Sequence, residues 1–330
     1  MRTIKTIAFA SLLALSASCT PARREASIRF RTMDTEPATR SLLTASDMET
    51  KKTGITLAAY EAGSLVTAAY FTERLDAMTL NLERDVSYSV YALVNMGDLR
   101  GSLPASEAGL ASLTYRIPSY TEGAASLAAR GLPMAGKLDY AGGPAVIPVE
   151  RLLAKVTVRL SCEWTGAAIR EVHVCNLNRV LRPFGSGAAS GGVDILPEQE
   201  FQAGTGTASG TFVFYVPENR QGTISGITDS AGKSPDKSEA VAARKDRLTY
   251  LETVVEASGQ YKGSITYRSY LGRDAVSDFD IRRNAHYLWT VRFLEDGLQL
   301  DDWKHGNDLM DPSGLDIDDG WDDGGESELH

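Results

Sequence analysis

Apolar and polar residues alternate one for one along most of this chain, and stretches with helical spacing are few and short. Successive side chains of a strand point to opposite faces, so alternation marks an extended segment with one face buried. Residues 27–31 place Ile28 and Phe30 together on one such face. Residues 55–60, 65–71, 78–82 and 86–95 predict four more strands, of which 86–95 (VSYSVYALVN) is the clearest. Strands are also expected over 152–160 (LLAKVTVRL), 169–177 (IREVHVCNL), 249–257, 263–271 and 287–293. Another, 211–216 (TFVFYV), stops at Pro217, as a strand should when the next residue has no N–H for the ladder. Short helices are expected at 106–112 and 122–130, and loops at the Gly/Ser/Ala-rich 185–192 and the polar, Pro235-containing 224–247. Many short strands between turn residues imply sandwiches rather than βαβ units. The alternation breaks at 139–148 (DYAGGPAVIP), so an N-terminal domain of 41–145 and a C-terminal domain of 146–304 are expected.

The two ends read differently. Arg2 and Lys5 precede an apolar stretch, 7–17, that is shorter than the ~20 residues a membrane-spanning helix needs. It fits a secretory signal over 1–18. Cys19 follows Ser16, Ala17 and Ser18 in what resembles a lipobox, where a bacterial cysteine is diacylated and the signal is cut before it. Ser16 stands where Leu is usual, with Leu15 one place earlier. The other reading is an ordinary signal with a cysteine just past its cut. Cys162 and Cys175 flank a turn at Thr165-Gly166, but a hairpin there sets Cys162 opposite a residue near 170. Two buried free thiols are therefore expected, with a Cys162–Cys175 disulfide, which an exported protein can form, as the alternative.

The chain has 330 residues with 43 acids and 34 bases, a formal charge of −9. Nine of those acids lie in residues 305–330, an acidic tail without Lys or Arg, so the rest of the chain is neutral. A neutral body with no basic stripe argues against nucleic acid as a partner, because phosphates require clustered Lys and Arg. No GxSxG, HExxH, paired CxxC, P-loop or GxGxxG is present. His173 and His286 read as strand residues, and Asp274, Asp278 and Asp280 lack an identifiable partner base. The acidic stretch 316–323 fails EF-hand spacing because Gly320 occupies the third ligand position. No catalytic residue, metal site or cofactor is expected, and the chain reads as a protein that is not an enzyme.

Several segments resemble, in order and spacing, the fimbrillins of Bacteroidetes, lipoprotein precursors that build type V pili. They are 39–41 (TRS), 88–95 (YSVYALVN), 132–136 (LPMAG), 151–158 (RLLAKVTV), 215–219 (YVPEN), 278–284 (DFDIRRN), His286-Tyr287 and Trp303-Lys304. The resemblance implies an all-β chain of two transthyretin-like β-sandwich domains in tandem. It also implies outer-membrane anchoring through lipid on Cys19 and cleavage after an arginine by a trypsin-like maturation protease. Assembly with other fimbrial subunits would then follow by strand exchange, into a cell-surface fimbria that serves adhesion. Carried onto this sequence, residues 19–40 hold a plug strand anchored by Ile28 and Phe30, and Arg40 is the cleavage site, with Arg23, Arg24, Arg29 and Arg31 as rivals. The candidate donor strand lies in the tail, where Leu315, Ile317 and Trp321 share one face of an extended chain. Asp319 interrupts that face, and the tail is more acidic than a donor should be. The alternative is a lipid-anchored adhesin or glycan-binding module that does not polymerise, or a tip or anchor subunit. Either would meet a host or bacterial surface ligand.

Overall fold

The computed structural model describes residues 25–34, 47–117, 127, 129–142, 145–185, 195–196, 200–229, 231–258, 262–294 and 315–318. The N-terminal half contributes β1 (Glu25–Asp34), β2 (Ile55–Glu61), β3 (Ser64–Phe71), β4 (Met78–Glu83), β5 (Tyr88–Val94), β6 (Tyr115–Arg116), β7 (Met134–Tyr140) and β8 (Ala145–Arg151). All except β6 form one sheet in the order β3-β2-β5-β7-β8-β1-β4. Only β1 and β8 run parallel in it. β7 and β8 pair through Met134 with Arg151 and Ala135 with Glu150. So short a seam lets the sheet fold back on itself, and its two wings bury Phe30, Leu80 and Ile147 against Leu57, Val90 and Met134. Gly136 is required beside the seam, because a Cβ there would stand 1.9 Å from the Pro148 carbonyl oxygen.

The C-terminal half contains β9 (Leu153–Cys162), β10 (Ala167–Cys175), β11 (Leu177–Asn178), β12 (Val180–Leu181), β13 (Ile195–Leu196), β14 (Glu200–Thr207) and β15 (Ser209–Pro217). After them come β16 (Asn219–Thr223), β17 (Tyr250–Ser258), β18 (Lys262–Tyr270), β19 (Asp278–Ile281), β20 (His286–Phe293) and β21 (Leu315–Asp318). Two four-stranded sheets, β15-β9-β20-β21 and β14-β10-β17-β18, enclose a core that includes Val156, Phe214, Trp289, Val172 and Tyr267. Both halves follow one plan. β9 lies between antiparallel β15 and parallel β20, just as β1 lies between antiparallel β4 and parallel β8. The order β14-β10-β17-β18 likewise repeats β3-β2-β5-β7. The all-β expectation holds.

Three local expectations differ from the structure. β8 lies beyond the expected boundary at 145/146, yet it belongs to the N-terminal sheet. Gly142, Gly143 and Pro144 before it and Pro148 within it suggested a linker, but Ala145, Ile147 and Val149 alternate inward and are buried. The segment 224–247 is folded, with a 3-10 turn at Ala231–Lys233 and a helix at Glu239–Ala242 whose first turn Ser238 caps. Ile224, Val241 and Leu248 bury against Tyr270 and Phe279, and they are too far apart in sequence to show a period. The helix expected over 106–112 is a 3-10 helix, Glu107–Ser112. Most of 122–130 and of 185–192 lies outside the described residues.

Candidate functional site: the first strand and its slot

β1 is held on both edges, and its two neighbours share it end to end. Residues 25–30 pair with β4, from Glu25 opposite Glu83 to Phe30 opposite Met78. Residues 30–34 pair with β8, from Phe30 opposite Ala145 to Asp34 opposite Val149. Phe30 alone lies in both ladders; it is fully buried and meets the Tyr140 ring edge-on at 5.5 Å. Arg29 beside it is exposed, as alternation requires. Ile28 faces Leu80 in register; its side chain is outside the described residues. The slot is lined by Met78, Leu80 and Leu82 from β4 and by Ala145, Ile147 and Val149 from β8, all buried. Burying a Phe side chain contributes roughly 1.5–3 kcal/mol, so Phe30 is a substantial anchor. Without β1, the facing N–H and C=O groups of β4 and β8 would lose their partners along an open apolar groove.

The chain resumes its description at a four-residue helix, α1 (Asp47–Thr50), held by different partners from β1. Glu49 accepts a hydrogen bond from the Tyr215 hydroxyl at 2.5 Å and pairs with Lys155 Nζ at 2.9 Å. Its carbonyl oxygen accepts from Arg151 Nε and Nη2 at 3.2 and 3.1 Å. Glu49, Arg151 and Lys155 are buried. Lys155 lies on β9 and Tyr215 on β15, so the segment after residue 46 is fastened to the C-terminal half, whereas β1 is fastened to β4 and β8. Sequence reasoning did not assign this cluster. Its one visible sign is a lysine in the middle of the apolar strand LLAKVTVRL.

Arg40 lies between these two attachments, in 35–46, and with Cys19 and Trp321 it is outside the described residues. Leu315 and Ile317 are in β21, which pairs antiparallel with β20 of the same chain, Leu315 opposite Trp289 and Ile317 opposite Tyr287. Cys162 and Cys175 are buried and unpaired. Burial pushes the Cys175 thiol up to about 12 and raises that of Cys162, so neither is an available nucleophile. His286 Nε2 lies 2.9 Å from Thr157 Oγ1, and Asp274 accepts the backbone N–H groups of Val276, Ser277 and Asp278. These are structural contacts. No group of three metal-binding side chains occurs among the described residues, and no helix among them is long and apolar enough to cross a membrane.

A domain of unknown function, DUF4906, matches residues 214–291. No curated protein matches the sequence. Solved structures do match the fold over most of their length. A candidate cell adhesion protein of Bacteroides eggerthii is 14% identical with a TM-score of 0.58, covering 90% of this chain and 95% of its own. Another candidate, from Parabacteroides distasonis, is 12% identical with a TM-score of 0.54, covering 84% and 90%. The tip fimbrial protein Mfa3 of Porphyromonas gingivalis, solved with a C-terminal truncation, is 12% identical with a TM-score of 0.53, covering 89% and 99%. The class these structures define is a fold of fimbrial and cell-adhesion proteins of Bacteroidetes, and this chain has that fold, as the resemblance in its sequence implied.

Proposed function

We propose that this protein is a structural subunit of a cell-surface fimbria, exported as an outer-membrane lipoprotein through Cys19 and serving adhesion. A trypsin-like protease cuts after Arg40, β1 leaves its slot, and an extended strand from another subunit takes its place. The position of β1 carries this reading: it is an interior strand, paired on both edges, yet the chain that follows it joins the rest of the fold only through 35–46. An incoming strand with alternating apolar residues would restore both ladders and refill the groove left by Phe30. The fold shared with Mfa3 supports the same reading. Function here lies in a replaceable strand, without catalysis or cofactor.

Limited trypsin digestion of the soluble chain, followed by intact mass and size-exclusion, tests it. The expected result is one early cut after Arg40 and new higher-order species whose amount rises with concentration. Scattered cuts with a permanently monomeric product, alone and with sister subunits, would overturn polymerisation. They would leave a lipid-anchored adhesin or glycan-binding module.

One observation favours a second placement in the fibre. β21 already pairs with β20 of its own chain, so Leu315 and Ile317 are engaged at home. A subunit with such an arrangement suits the tip or the anchor, which accepts a strand without having to donate one.

A further inference from the structure

A cleft of about 710 Å3 lies between the two halves. Glu150 of β8 lines one side, and Glu218, Arg220, Arg282 and Arg283 line the other. Arg283 is fully engaged. Its Nε and Nη2 donate to Glu218 Oε2 at 2.8 and 2.5 Å, and its remaining hydrogens go to the carbonyls of Arg182, Pro183 and Gly185. Arg220 and Arg282 are not. They stand 4.0 and 3.9 Å from the same oxygen, Asp280 Oδ2, too far for a hydrogen bond, while Asp280 Oδ1 accepts the Gly222 N–H. Arg282 Nε is buried with no partner among the described residues. Lys137 also lines the cleft, and Arg244 donates to the carbonyl of Gln221, next to Arg220. Against Lys137, Arg220, Arg282 and Arg283 stand Glu150 and Glu218 in the lining and Asp280 beside them, which leaves an excess of positive charge.

The direction of β21 names an occupant. Asp318 pairs with His286, so the chain leaves β20 at the end that Arg282 and Arg283 lead into. Residues 319–330 follow, with Asp319, Asp322, Asp323, Glu326 and Glu328 and no Lys or Arg. Fully extended, that segment reaches roughly 40 Å, ample for this rim. We infer that the acidic tail of the chain docks against Arg220 and Arg282 at the mouth of this cleft, its carboxylates supplying the partners those guanidinium groups lack. Charge-assisted bonds of this kind are strong and directional, and at a partly exposed rim they weaken with salt.

Hydrogen exchange of the tail amides in the whole chain tests the inference independently of proteolysis or assembly. At low salt, residues 319–330 should exchange about tenfold or more slowly than a free peptide of the same sequence, at any protein concentration. Arg220→Gln with Arg282→Gln, 1 M NaCl, and separately Asp322→Asn with Asp323→Asn should each restore fast exchange. Exchange within β20 and the thermal midpoint should stay unchanged, which separates undocking from misfolding. Free-peptide rates in the parent at low salt would overturn docking, and so would equal protection in the arginine variant. Protection that rises with concentration would instead assign the tail to a second copy.

Discussion

Phe30 is the residue whose loss the N-terminal sheet should feel most, because it alone joins both ladders of β1. Phe30→Ala is expected to cost about 3–5 kcal/mol in denaturant unfolding, as other large-to-small core changes do. Lys233 gives a pH-dependent counterpart. Its side chain is almost wholly buried, its Nζ donates to the Asp274 carbonyl at 2.5 Å, and it sits 4.8 Å from the Phe279 ring centroid. Burial pulls its pKa down from 10.5 to about 8, against the opposing pull of Asp274 and Asp278. The unfolded chain therefore keeps this proton in a window where the folded chain gives it up, so stability rises with pH between about 8 and 10. Relative to Lys233→Met, the parent should gain about 2–3 kcal/mol between pH 7 and pH 10, read from unfolding midpoints. A flat difference would show that the lysine stays charged where it is buried. The thiols should be silent: in a Cys19→Ser chain, Cys162 and Cys175 should react with a thiol reagent at pH 8 only after unfolding.

At the scale of elements, the seam between β7 and β8 decides whether the slot for β1 has a wall. Gly136→Ala would drive a Cβ into the Pro148 carbonyl, which is backbone and cannot swing aside. The expected cost is about 1–3 kcal/mol, with the fastest added hydrogen exchange in β8 and β1. Strands with one buried face were legible from alternation, as TFVFYV announced β15, whereas VSYSVYALVN announced β5 through its apolar run, which is buried on both faces over most of its length. β8 was not, because Gly142, Gly143, Pro144 and Pro148 imitate a linker while the inward alternation of Ala145, Ile147 and Val149 is short. At the candidate site, the inward position of Phe30 was legible from alternation. Glu49, Lys155 and Tyr215 were not, since their sequence separation leaves no local pattern. Nor does alternation reveal that β1 runs parallel to β8; pairing partners are chosen by the whole sheet.

Across the whole molecule, the Glu49 cluster is one joint between the halves, beside the β6–β12 pair and the apolar cluster of Tyr60, Tyr91, Leu153 and Leu181. Removing one member of a buried pair strands the other, so Glu49→Ala should cost about 3–5 kcal/mol, whereas Glu49→Leu with Lys155→Met should come much closer to the parent. A double-mutant cycle read by denaturant unfolding measures the difference. The repeated plan carries one more consequence, which concerns time. A ribosome delivers the chain from its N-terminus, so β1 emerges before the strands it pairs with. Its first ladder waits for residues 78–83, and its second waits for residues 145–149. β9 waits in the same way for residues 286–293. Each half therefore passes through a long interval in which an interior strand is out and its berth does not yet exist. Such a strand is exposed and sticky until its partners arrive, and a holding factor that recognises alternating extended segments would protect it.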